Sequence, residues 1–109
     1  MKDYIKAITA LSIDTATLTG GYDPFNATGI PQACSIIRVI NDSNVAVGLS
    51  YDGVYTNEMI PVGFTIQLQF QTNSQPNNKR ACLAKGTKVY LIGQAGIGTV
   101  YFVGYYQET

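Results

Sequence analysis

Asp52 and Glu58 lie six positions apart in a turn-rich stretch of the chain. A pair of carboxylates can divide acid and base work at a glycosidic bond, one protonating the leaving oxygen while the other activates water or attacks. The spacing has a plainer explanation. Asp52 precedes Gly53, and an Asp–Gly pair is turn chemistry, because Asp bonds to nearby backbone while Gly accepts positive φ. Glu58 reads as a solvated rim charge. The chain has no histidine, so a hydroxyl or thiol nucleophile would have only carboxylates or lysines as its base. No catalytic residue is expected, and the protein is read as a non-enzyme.

Gly93, Gly96 and Gly98 form a G-x-x-G-x-G pattern. Phosphate cradles of that kind sit between a strand and a helix. Here an aromatic strand pattern follows, so Gly96 and Gly98 are assigned to a hairpin turn. Cys34 and Cys82 are the two cysteines, without a C-x-x-C spacing. They are read as buried thiols, a disulfide between neighbouring strands being the alternative. Without histidine, zinc sites of ordinary composition are disfavoured. No metal and no cofactor are expected.

The 109 residues suit one domain with a modest core. Hydrophobic residues make up 46%, which excludes bulk disorder. Charged residues make up 13%, about half the ordinary share, so much of the surface must be Thr, Asn, Gln, Gly and Tyr. Such a surface suits a subunit covered by neighbours. Seven basic residues balance seven acidic ones, and Lys79–Arg80 is the one local basic pair, which argues against nucleic acid as a partner. No apolar run approaches the roughly 20 residues of a membrane span. The opening residues, MKDYIKAITALSIDTATL, contain Asp3 and Asp14 and no uninterrupted apolar block. A signal peptide is not expected, and synthesis in a cytoplasm is.

Positioning elements are read from periodicity. Val45, Val47, Leu49 and Tyr51 alternate with small residues, and Ile66, Leu68 and Phe70 alternate with Thr65, Gln67, Gln69 and Gln71. Period-two patterns of this kind mark half-buried strands. Residues 33–40 (ACSIIRVI), 81–83, 87–93 and 99–107 are further strands, and Thr and Ile make 1–18 a weak one. Residues 41–44 (NDSN) and Asp52–Gly53 are turns. Pro61-Val62-Gly63 is assigned to a type I turn with Pro61 second and Gly63 fourth. Residues 72–80 form a polar loop, either a contact loop or a plain connection. Asn26-Ala27-Thr28 matches a glycosylation acceptor, a chance match without a secretory signal. The expected class is all-β: an antiparallel sandwich, jelly-roll or immunoglobulin-like, of about seven to eight strands. Residues 1–31 are expected as an N-terminal strand or arm with an irregular connection, and 32–109 as the sandwich, within a single domain.

Eight tyrosines need a cause. Tyr101, Val103 and Tyr105 share one face of the last strand, while Val100, Phe102 and Tyr106 occupy the other. A strand apolar on both faces needs a second cover, a packed layer or another subunit. Tyrosine suits a subunit contact because its ring is apolar and its hydroxyl tolerates water. A stacking platform for sugars competes, weakened by the absence of Trp. Tyr4, Ile5, Tyr22 and Phe25 join the interface set, on the expectation that 1–25 pairs with or wraps a neighbour.

The runs SIIRVINDSNVAVGLSYDGV, IPVGFTIQLQFQTN, GTKVYLIG and GTVYFVGYYQ resemble a family of small virion structural proteins of tailed bacteriophages. The resemblance rests on the turn at 41–43, the S-Y-D-G at 50–53, the P-V-G at 61–63, the G-T-K-V-Y at 86–90 and the final aromatic strand at 98–106. It spans 34–107 and leaves 1–31 outside. It implies a multi-copy β-sandwich subunit of the virion, made in the host cytoplasm. One implied role is capsid decoration, or cement, at lattice junctions as trimers; the other is a neck or adaptor ring between portal and tail. Implied partners are further copies of the chain and the major capsid or portal and neck proteins. A carbohydrate-binding sandwich for host-surface recognition is the alternative from another class.

Overall fold

The computed structural model describes residues 4–69 and 83–108. Among them are nine strands: β1 (Tyr4–Ala7), β2 (Leu11–Asp14), β3 (Asp23–Pro24), β4 (Ile36–Ser43), β5 (Val47–Ser50), β6 (Glu58–Ile60), β7 (Thr65–Gln69), β8 (Tyr90–Gly93) and β9 (Gly98–Glu108). They form two antiparallel sheets packed as a sandwich. One has the order β1-β9-β4-β7 with β2 also on β9, and the other has β3-β8-β5-β6. The one helical element described is the 3-10 turn Thr15–Thr17, which Asp14 caps by accepting from the Ala16 N–H.

β9 is the axis of the larger sheet. It pairs with β4 from Ile36↔Tyr105 to Ser43↔Gly98. Alternation then decides what each side chain meets. Ile37, Val39 and Asn41 of β4 and Val100, Phe102 and Gly104 of β9 turn inward and are buried. Opposite them, Val47, Leu49, Ile60 and Leu91 of the smaller sheet close the core, with Val89 just before β8. Gly104 lets the chains approach, since a Cβ there would stand 2.5 Å from the Cys34 Sγ. Cys34 is buried and bridges to Leu83. Cys82, residues 70–71 of the expected strand and the polar loop at 72–80 lie outside the described residues.

Several expectations are corrected. The N-terminal segment is part of the sandwich. β1 and β2 run end to end along β9 of the same chain, and the four-residue step from Ala7 to Leu11 spans three residues from Tyr105 to Phe102. That is a one-residue bulge. Ile8, Ile13, Leu18, Phe25 and Ile30 enter the core, so the described part of that segment, residues 4–31, contributes packing rather than an appended arm. Strand β4 also continues through the residues 41–43 read as a turn. Asn41 is tolerated there because its amide nitrogen reaches the carbonyls of Val45 (2.9 Å), Ile60 (3.2 Å) and Pro61 (3.1 Å). β6, unread in the sequence, is a short edge strand paired on β5.

Two turns differ in type. The Phe64 N–H bonds to the Pro61 carbonyl at 3.1 Å, and Gly63 has φ +75°. Positive φ at the third position of a hydrogen-bonded turn is the mark of type II, so Pro61 stands first and Gly63 third. Residues 94–97 are not a hairpin, because β8 and β9 belong to different sheets. This connection crosses the sandwich and is held by Asn44, whose N–H and side-chain oxygen bond the Ile97 carbonyl and N–H. Gly98, at φ +123°, has no room for a side chain beside the Asp42 carbonyl.

Candidate docking face

The outward side of the larger sheet is the surface that the tyrosine pattern points to. Its residues follow from register. Ile40 lies opposite Tyr101, Arg38 opposite Val103 and Ile36 opposite Tyr105. β7 sets Thr65 beside Ile40 and Gln67 beside Arg38, and β2 sets Ser12 beside Tyr101. Cross-strand partners share a face, so these side chains form three rows. Tyr101 is 37% exposed, and Ile36, Arg38, Ile40, Val103 and Tyr105 are half-buried. Asp42 continues the face on β4 and is exposed. The result is an aliphatic and aromatic stripe interrupted by one guanidinium. Among the described residues, the buried Nε of Arg38 meets no hydrogen-bond acceptor.

The other residues assigned to an interface separate. Phe25 is corrected: it is buried at 9% exposure and packs on Phe102 with ring centroids 5.6 Å apart. It is a core residue, because the Phe25 N–H bonds to the Val89 carbonyl, extending the β3–β8 pairing and setting the ring against the opposite sheet. Tyr22 is half-buried, and its hydroxyl lies 3.0 Å from the Thr56 hydroxyl. That contact ties the segment before β3 to the β5–β6 loop. Tyr4 and Ile5 are in β1, opposite Glu108 and Gln107. The interface reading of their side chains lies outside the described residues.

The carboxylates are placed in a turn and on an edge strand. The Asp52 Oδ1 accepts from the Ser50 hydroxyl (2.9 Å), the Val54 N–H (2.9 Å) and the Tyr55 N–H (3.0 Å). The Tyr55 and Val54 N–H groups, with the Ser50 hydroxyl, hold its carboxyl below the ordinary carboxylate value. Gly53, at φ +74°, donates its N–H to the Ser50 hydroxyl oxygen. Asp52 and Gly53 therefore build the expected turn. Burial, with the Glu58 charge beside it, pushes the Tyr51 phenol well above its usual value. Among the described residues, no group of three or more His, Cys, Asp or Glu side chains could hold a metal ion. No helix among them is long and apolar enough to cross a membrane.

Sequence reasoning missed a second set of apolar side chains. Val54, Tyr55, Met59, Val62 and Phe64 are exposed, with Tyr55 at 70% and Phe64 at 60%, and all lie between Tyr51 and Thr65. Ile97 is exposed at 78% in the β8–β9 crossing. The available signal was their company: bulky apolar residues beside Gly53, Gly63, Gly96 and Gly98 sit in turns, where no core is within reach.

No family model matches the chain, and no curated protein matches it. Among solved structures it is similar to the Dit protein of phage SPP1, described as a paradigm of the hub adsorption apparatus in phages that infect Gram-positive bacteria. The likeness has a TM-score of 0.44 and 13% sequence identity, over 94% of this chain and 49% of that one. The chain spans about half the length of that protein.

Proposed function

We propose that this chain is a non-enzymatic structural subunit of a bacteriophage virion, present in many copies as a decoration protein that braces the head. The observation that carries the reading is the outward stripe of Tyr101, Val103, Tyr105, Ile36 and Ile40 on the larger sheet. A half-exposed face of this composition is costly to leave in water and gains by being covered. The low charge content supports the same reading, as does the resemblance carried by residues 34–107. The test is the copy number in purified particles, measured by quantitative mass spectrometry against the major capsid protein. Hundreds of copies, with weaker heads when the protein is absent, support decoration. About a dozen copies would point instead to a neck or adaptor ring of cyclic symmetry. Absence from particles would overturn the virion reading.

A second reading has one observation in its favour. Tyr55 presents a 70% exposed ring on the β5–β6 loop, a surface on which a sugar can stack. A glycan array showing hits that vanish in Tyr55→Ala would move the assignment to host-surface recognition. An array without hits would remove this reading.

A further inference from the structure

We infer that the outward face of the larger sheet docks on the same face of a second copy, about a two-fold axis through the Ile40–Tyr101 row. This inference rests on the structural-subunit reading and names the partner of that surface. Along β4 the face reads Ile36, Arg38, Ile40, Asp42: a cation and an anion stand symmetrically on either side of Ile40. A two-fold axis lying between two such sheets, perpendicular to their strands and passing over Ile40, brings Arg38 of each copy against the partner's Asp42. It also sets Ile40 on the partner's Ile40, and Tyr101 on the partner's Tyr101. The pattern is therefore self-complementary in charge and in apolar content, as an isologous interface requires.

The geometry tolerates the natural twist. Arg38 and Asp42 each lie two residues from Ile40, about 6.7 Å along the strand. Packed sheets cross at about 30°, which shifts each pair sideways by roughly 3.4 Å, less than one strand spacing and within the reach of an arginine. The alternative axis, parallel to the strands, would leave each Arg38 over Val103 of the partner without a carboxylate. The face is about four strands wide and eight residues long, small for a permanent dimer, so association depends on concentration.

Sedimentation velocity on the full chain, from tens of micromolar to about 1 mM, tests this. The wild-type chain is expected to show a reversible monomer–dimer equilibrium. Arg38→Glu and Asp42→Arg should each weaken it at least tenfold, and the double variant should recover to within a few-fold of wild type. Tyr101→Lys places like charges over each other on the axis and should abolish the dimer. Tyr101 is part-exposed, so this variant keeps its fold, and a circular dichroism melt on every variant verifies that. A wild-type chain that stays monomeric throughout, single charge variants that dimerise normally, or a double variant that fails to recover would each overturn the inference. These failures are separable from failure of the virion reading, which is decided by copy number in particles and not by self-association.

Discussion

Phe25 rests on Phe102 with ring centroids 5.6 Å apart and planes inclined by 45°. The contact joins the segment leading from β3 to the central strand of the opposite sheet. It makes the N-terminal third of the chain part of the core. Tilted aromatic pairs add to area burial at such distances.

Phe25→Ala should therefore act as a core truncation and lower unfolding free energy by about 3–5 kcal/mol. Tyr101→Ala, on the outward face, should cost much less. Urea denaturation of both variants checks the contrast. Equal losses would return Phe25 to the surface. Removal of residues 1–25 is likewise expected to unfold the sandwich, since it strips β1 and β2 from β9.

Asn41 is 1% exposed and carries the polar junction between the β4–β5 and β6–β7 turns. Its nitrogen faces three carbonyls, its Oδ1 accepts from the Ser43 hydroxyl, and its own N–H bonds to the Phe64 carbonyl. Asn41→Ala leaves buried acceptors unmet, at a cost of about 1–3 kcal/mol. Asn41→Asp should cost more, because a carboxylate would then face carbonyl oxygens. An Asp variant as stable as wild type at neutral pH would contradict this geometry.

Acid stability should depend on Asp52. Its carboxyl is held below the ordinary aspartate value in the folded protein, so the unfolded chain takes up that proton first as pH falls. The associated stability is present above the unfolded value and disappears as pH drops through the folded one. Asp52→Asn should flatten that part of the acid limb. Denaturation midpoints measured between about pH 6 and pH 2 are the readout. Parallel acid limbs for the two proteins would refute the assignment.

Tyr51 has the opposite sign. Burial, with Glu58 close by, raises its phenol above the ordinary tyrosine value. The unfolded chain ionises first as pH rises, so stability is intact below that value and falls above it. Tyr51→Phe should hold its melting temperature further into the alkaline range than wild type does. Spectrophotometric titration should show one tyrosine ionising late, and that step should be missing in the variant.

Local pattern carried the strands and their faces. The alternation in β7 and the outward set of Tyr101, Val103 and Tyr105 were legible because side-chain direction follows backbone period, a property of neighbouring residues alone. The Asp52–Gly53 turn was legible for the same reason: its bonds close within a few residues.

What only the tertiary structure decided depends on distant partners. Phe25 reads as a surface aromatic until Phe102 is beside it. Asn41 reads as a turn residue until the Ile60 and Pro61 carbonyls supply its acceptors. Gly96 and Gly98 read as a hairpin until β8 and β9 are seen in opposite sheets. The first residues of the chain read as an arm because a bulge breaks their period between Ala7 and Leu11, and the pairing with β9 that repairs it joins the two ends of the sequence. Such long-range register is set by which surfaces bury each other, and no window of adjacent residues contains it.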